Sequence, residues 1–172
     1  MINFIVHCST YVQAWSATNV LQSCNVKRDH MAQNNGVDVT KFTKKASRGP
    51  NPNQPSVLYN AMIVPLLKMQ IKGALWYQAE SNVYPGGENL YACVFPAMIA
   101  DWRARWNMAT NPNFPFFFVQ LAAYTQGLKD FTSLPAMRLK QEVATGLINV
   151  GMATAVDLVR TIHDCIILLM LD

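Results

Sequence analysis

Within the five residues Gln78-Ala79-Glu80-Ser81-Asn82 the chain places two carboxamides, a carboxylate and a hydroxyl, directly after the apolar run Gly73-Ala74-Leu75-Trp76-Tyr77. A carboxamide just beyond a strand, as Asn82 would be, is placed to donate to an oxyanion, an interaction that contributes a few kcal/mol to lowering an acyl-transfer barrier. Glu80 is placed either to orient a base or to accept from a sugar hydroxyl. The same residues also suit an ordinary strand-to-helix turn with Asn82 as a cap. A second pair stands further on: Asp157 closes the run Met152-Ala153-Thr154-Ala155-Val156, and His163 follows six residues later. An Asp and a His beyond one sheet edge are the orienter and base of a Ser-His-Asp arrangement, and spacing alone is equally met by a surface histidine. No serine sits in a G-x-S-x-G turn, and neither Ser9 nor Ser16 has a tight glycine turn around it. The other histidines, His7 and His30, and the cysteines Cys8, Cys24, Cys93 and Cys165 are scattered without C-x-x-C spacing, so no metal site is expected. Cys24 and Cys93 either pair in an oxidising compartment or remain buried thiols.

The elements that must carry these groups follow from the hydropathy pattern. Three apolar segments, 73–77, 116–121 and 152–156, do not alternate strictly, as expected of strands covered on both faces. Between them lie helical repeats. Ser56 can cap a helix with Leu58, Ala61, Met62, Leu66 and Met69 on one stripe. Leu90, Cys93, Val94, Ala97, Met98 and Trp102 form a second stripe, with Arg103 and Arg105 off it. Pro65 and Pro96 either kink these helices or mark their true first turns. A third helix is predicted from Pro135 through Met137, Val143 and Ala144 to Gly146. The alternation of helix and strand predicts an α/β fold with a parallel sheet, its strand ends on one edge and its ligand beyond that edge. Residues 25–55, with Asn34-Asn35-Gly36, Gly49-Pro50 and Asn51-Pro52-Asn53, read as one long surface loop.

Composition narrows the class. A chain of 172 residues with 51% hydrophobic and 14% charged residues suits one domain with a sizeable core and excludes a disordered tail. No apolar run approaches the ~18 residues a membrane helix needs; the longest is Cys165 to Leu171. Met1 to Cys8 has no basic residue ahead of its apolar stretch and reads as a strand, not a secretory leader. The net charge of +4 comes from six cations in residues 27–48 set among Asn, Gly, Thr and Ser, with no aromatic set for stacking on bases, so nucleic-acid binding is not expected. A nucleotide-binding module of the same fold class would need a glycine-rich phosphate loop, and the sequence has none.

Trp76-Tyr77-Gln78-Ala79-Glu80-Ser81-Asn82 resembles the W-Y-Q-G-E-S-N block of the sialate O-acetylesterases, carbohydrate esterases with the SGNH-hydrolase fold. Five further blocks are similar in the same order. Ala14-Trp15-Ser16 resembles E-A-W-S, and Ser56-Val57-Leu58-Tyr59-Asn60-Ala61-Met62-Ile63 resembles S-x-L-[YW]-N-A-M-I. Phe95 through Arg103 resembles F-P-A-L-I-x-D-W-R, Phe114 through Leu121 resembles F-P-F-x-x-V-Q-L, and Gly151 through Leu158 resembles G-M-A-V-x-x-D-[IL]. The resemblance spans roughly residues 10–163.

The resemblance implies a three-layer, flavodoxin-like parallel sheet with helices on both faces, incomplete at its N-terminus. It implies a partial catalytic domain over residues 1–163 and a divergent tail, 164–172, with no counterpart in the family. The activity implied is removal of O-acetyl groups from sialic acids or related glycans by a serine, a histidine base and an acidic orienter, with no metal or organic cofactor. Asn82 matches the oxyanion Asn, and Gln78, Glu80 and Ser81 match the rest of that block; Ala79 stands where the family has Gly. His163, in Ile162-His163-Asp164, resembles the I-H-P histidine without its Pro. The acid two residues before it is replaced by Thr161, which leaves Asp157 as orienter. Cys8 and Ser9 stand where the family has glycines. The G-Q-S-N nucleophile serine lies upstream of E-A-W-S in the family and is expected to lie outside this sequence. The alternative is therefore a catalytically inactive truncated form that at most binds glycan. Relatives are lysosomal or secreted, and the same compartment is expected here.

Overall fold

The computed structural model describes residues 2–7, 10–26, 51–106, 109–123, 132–157 and 164–171. Most of the loop expected over 25–55 lies outside the described residues. The strands are β1 (Ile2–His7), β2 (Ile71–Trp76), β3 (Phe116–Gln120), β4 (Val150–Thr154) and β5 (Asp164–Leu171); the α-helices are α1 (Thr18–Ser23), α2 (Gly87–Arg105) and α3 (Ser133–Gln141). They form one five-stranded sheet in the order β1-β5-β2-β3-β4.

The three strands expected from the apolar runs are all present and parallel. Ala74 pairs with Phe116 across β2 and β3, and Phe116 with Val150 across β3 and β4. The protein is thus an α/β fold built on a parallel three-stranded core. Two differences from the expectation stand out. First, segment 164–171, expected as a divergent tail, forms β5, which lies antiparallel to both β1 and β2 and fills the slot between them. Its unbroken apolar run Cys165–Leu171 suits an interior strand. Since β1 is antiparallel to β5 and β5 to β2, β1 runs parallel to β2, and the sheet is mixed.

Second, the helices whose packing is described cover one face of the sheet. Both crossovers, β2-α2-β3 and β3-α3-β4, move across the sheet in the same direction. A right-handed connection then puts both helices on the same side; helices change sides only where the strand order reverses. That face carries Ala74, Trp76, Phe116 and Phe118, all buried. The Trp76 ring lies 6.0 Å from Trp15, 5.9 Å from Phe95 and 5.9 Å from Trp102. Phe95 in turn meets Phe118 edge-on at 5.1 Å. Such aromatic pairs add about 0.5–1.5 kcal/mol each beyond area burial. On the opposite face Leu75, Tyr77, Phe117, Val119, Gly151 and Ala153 line a trough of about 490 Å³, and Phe117 is 47% exposed. The second helical layer expected on this face is not seen among the described residues.

The helix expected after Ser56 is short and irregular. Ser56 has a φ of 61°; its N–H donates to Gln13 O at 3.0 Å and its carbonyl accepts from Asn60 N at 2.9 Å. Residues Tyr59–Ile63 form a wide π-type turn, and Val64–Leu66 a 3-10 turn that has Pro65 in its first positions. Pro96, by contrast, sits inside a continuous 19-residue α2. The third helix ends at Gln141 and tightens into a 3-10 turn over Glu142–Gly146, leaving Val143 exposed. Cys24, which closes α1, is disulfide-bonded to Cys93 of α2, with Cα atoms 5.8 Å apart.

Candidate functional site

The parallel strands β1, β2, β3 and β4 all end on one edge of the sheet. The segments that follow the first two meet there. After β1 the chain forms a 3-10 turn over Val12–Trp15, held by Ala14 N–H donating to Tyr11 O at 2.9 Å. After β2 it forms a tighter one over Glu80–Asn82, in which Asn82 N–H donates to Ala79 O at 2.8 Å. This second turn requires Ala79 to take φ 145°, ψ −7°, a region that L residues with a Cβ rarely adopt. Strain of this kind costs on the order of 1–3 kcal/mol and is held in place by its surroundings. Here the surroundings are rigid. Ala79 is fully buried, and its N–H donates to Glu80 Oε2 at 3.1 Å. The start of α2 presses on the turn from the other side, where a Cβ at Gly87 would collide with Asn82 O.

Four hydrogen bonds build the cluster, three of them between the two segments. Asn82 Oδ1 accepts from Val12 N–H at 3.0 Å and from Gln78 Nε2 at 3.0 Å. Asn82 Nδ2 donates to Gln13 Oε1 at 2.9 Å. Gln78 Nε2 also donates to Thr10 O at 2.7 Å. Asn82, Gln78 and Gln13 are each 0–1% exposed. In so dry a setting each bond is strong and each unpaired group costly. One acceptor in the cluster, Gln78 Oε1, is buried without a partner among the described residues. The cluster rests on the core. Tyr91 Oη accepts from Trp76 Nε1 at 3.3 Å and lies 3.4 Å from Gln78 O. Trp15 Nε1 donates to Thr10 Oγ1 at 3.2 Å. Burial also pushes the Tyr11 phenol above its ordinary range, beside Tyr84 at 6.5 Å.

Of the residues singled out from the sequence, the structure gathers Gln78 and Asn82 into this cluster and places Glu80 and Ser81 in the same turn. Asp157 lies beyond β4, exposed to solvent. Strand β4 stands two places from β2, roughly 10 Å at the usual strand spacing. His163 lies outside the described residues, as do Cys8 and Ser9. Ser16 is buried and donates to Val12 O at 2.9 Å, which makes it a structural hydroxyl. Among the described residues no three His, Cys, Asp or Glu side chains stand close enough to hold a metal ion. Sequence reasoning missed Thr10, Val12 and Gln13. Thr10 and Val12 take part through their backbone groups, and Gln13 lies 69 residues from Asn82, so no local pattern announces them.

Comparison with known proteins fits this geometry. Residues 30–164 match the model of a carbohydrate esterase family described as sialic acid-specific acetylesterases. The chain belongs to that family. It is similar to the sialate O-acetylesterases of mouse, at 32% identity over 87% of this chain and 32% of the relative, and of human, at 34% identity over 87% of this chain and 28% of the relative. It therefore spans about a third of the length of the curated relatives it matches. Among solved structures it is similar to a carbohydrate acetylesterase from Xanthomonas citri, with a TM-score of 0.65 and 27% identity over 88% of this chain and 29% of that one. The acetylesterase relationship gives the strained bend a context. The position that the W-Y-Q-G-E-S-N block fills with Gly is the position that here takes φ 145° as Ala79.

Proposed function

We propose that this chain forms the oxyanion-donor side of an O-acetylesterase cleft that acts on acetylated sialic acids or related glycans. The observation that carries the reading is the Asn82 carboxamide. Its oxygen is consumed by Val12 N–H and Gln78, so its NH₂ is turned the other way, and among the described residues one of its two protons is taken, by Gln13. The second proton is the donor for the acyl oxygen. In the proposed reaction a serine oxygen bonds to the acetyl carbon, its proton passes to His163, and the carbonyl electron pair moves onto the oxygen that Asn82 holds. Collapse expels the sugar alkoxide, which takes the proton back from His163. Asp157 orients that histidine. Gln78 Oε1 and Glu80 accept from glycan hydroxyls, and Ser81 lines the same turn.

The attacking hydroxyl is not assigned within the 172 residues. The sequence holds no G-Q-S-N or G-x-S-x-G serine, and Ser16 is committed to Val12 O. Without an activated nucleophile the remaining groups supply only residual rate enhancement, so this stretch by itself binds and does not turn over. The Cys24–Cys93 disulfide supports the further proposal that the protein works in an oxidising compartment, lysosomal or secreted.

Two measurements test this. Acetate, the product acid, should shift the side-chain amide resonances of Asn82 in a ¹H–¹⁵N spectrum; unmoved resonances at saturating acetate would overturn the oxyanion role. Hydrolysis of p-nitrophenyl acetate by the purified chain should not exceed that of His163→Ala. Robust turnover that His163→Ala abolishes would show that the nucleophile lies within these residues.

A further inference from the structure

The Asn82 carboxamide can act on an acyl oxygen only if its NH₂, not its oxygen, faces the ester. We propose that Gln13 is the positioning residue that, together with Val12 N–H, holds the Asn82 NH₂ in this orientation. The proposal rests on the acetylesterase reading and adds a residue to it.

The argument starts from Val12. A backbone N–H can only donate, so its 3.0 Å contact fixes which end of Asn82 is oxygen. That leaves the Asn82 nitrogen opposite Gln13, and the contact between them at 2.9 Å requires Gln13 to present Oε1. Gln13 is itself held. Its backbone carbonyl accepts from Ser56 N at 3.0 Å and from Ser16 N at 3.4 Å, and the residue is 1% exposed. The three carboxamides then run head to tail: Gln78 donates to Asn82, and Asn82 donates to Gln13. Chains of this kind in a dry interior polarise one another: the bonds that Asn82 Oδ1 accepts from Val12 and Gln78 strengthen its NH₂ as a donor, and Gln13 takes one of the two protons and so aims the other. The E-A-W-S segment of the family has a carboxylate directly before Ala-Trp-Ser. Here the residue before Ala14-Trp15-Ser16 is the neutral Gln13. The neutral acceptor performs the orientation without burying a charge beside the bend, and the carboxylate in the same turn as Asn82 is that of Glu80, bonded to Ala79 N–H at 3.1 Å.

The test is nuclear magnetic resonance on the full 172-residue chain, with the Asn82 side-chain signals assigned by their loss in Asn82→Asp. In the wild type the two Asn82 Nδ2 protons should be widely separated, with only the small pH dependence between about 3 and 7 that Glu80 in the same turn imposes, a window spanning the ordinary carboxylate pKa values. Gln13→Leu should bring them together and weaken acetate binding about fivefold, the loss expected when one neutral hydrogen bond no longer aligns the donor. Gln13→Glu should restore the separation and make it titrate, the bonded proton moving downfield as the carboxylate ionises. Acetate affinity and Asn82 shifts unchanged in Gln13→Leu would overturn the proposal while leaving the oxyanion reading intact. Acetate without effect on Asn82 in the wild type would instead sink the oxyanion reading. If Gln13→Leu does not fold, Gln13→Glu decides: a folded variant whose Asn82 protons show no pH dependence beyond that of the wild type overturns the positioning role.

Discussion

The bend after β2 and the exit from β4 leave the same edge of the same sheet, and they are built by opposite means. At the bend, Gln78 and Asn82 are buried, bonded to one another and to a turn about seventy residues away in sequence, and the backbone is driven into a conformation alanine resists. Beyond β4, Val156 and Asp157 are exposed, and Val156 N–H donates locally, to Thr154 Oγ1 at 3.3 Å. The role proposed for Asn82, holding a developing negative charge, gains from a group fixed in advance in a dry place. Asp157, proposed to orient the base, stands in solvent instead. The contrast teaches that position on the sheet edge does not set rigidity; the second turn packed against the bend does.

Four experiments break or sharpen this contrast. The largest effect should come from the cross-link behind the bend. Replacing Cys24 and Cys93 with Ser opens a loop with a sequence separation of 69 and should lower unfolding stability by about 4 kcal/mol on the chain-entropy model, read from urea melts of the paired variant. Next, Asn82→Ala strands Val12 N–H, Gln78 Nε2 and Gln13 Oε1 in the core and should cost about 3 kcal/mol, a fall in Tm of roughly 6–12 °C for a chain of this size. A loss under 1 kcal/mol would show that water reaches the cluster. Ala79→Gly should act in the opposite sense, raising stability by about 1 kcal/mol, because relief of the strained φ exceeds the entropy and methyl terms. Asp157→Ala should change stability by no more than about 0.5 kcal/mol, as expected at an exposed site.

The bend also has a pH signature. Burial raises the Tyr11 pKa in the folded protein above its unfolded value of 10.0. The neutral phenol is thus favoured by folding. Its contribution is fully present below pH 10 and is lost as the pH rises from there through the folded pKa. Tyr11→Phe should therefore flatten the alkaline end of the stability profile and leave its neutral part unchanged.

Much of this fold can be read from the residues. The runs at 73–77, 116–121 and 152–156 gave strands within two residues of their observed bounds because a short apolar run bounded by turn residues marks a strand whichever of its faces is covered. The crossover direction, and with it the bare face around Phe117, is not written in any local pattern; it depends on which strands neighbour one another. The role of 164–171 was hidden for the same reason, since an unbroken apolar run suits an interior strand in any sheet slot. At the site, the turn that carries Asn82 and the awkward position of Ala79 were legible from the block after Trp76. Gln13 was not, because a pairing across 69 residues leaves no mark at either end.

The place of β5 has a consequence for how the protein assembles. Strand β1 joins the sheet through β5 alone, with Ile2 opposite Leu169 and His7 opposite Asp164. Among the described residues, β1 therefore waits for the last segment of this stretch to reach β2. Contacts so far apart in sequence close slowly, and until they do, the flanks of β1 and β2 that β5 will cover stay open to other molecules.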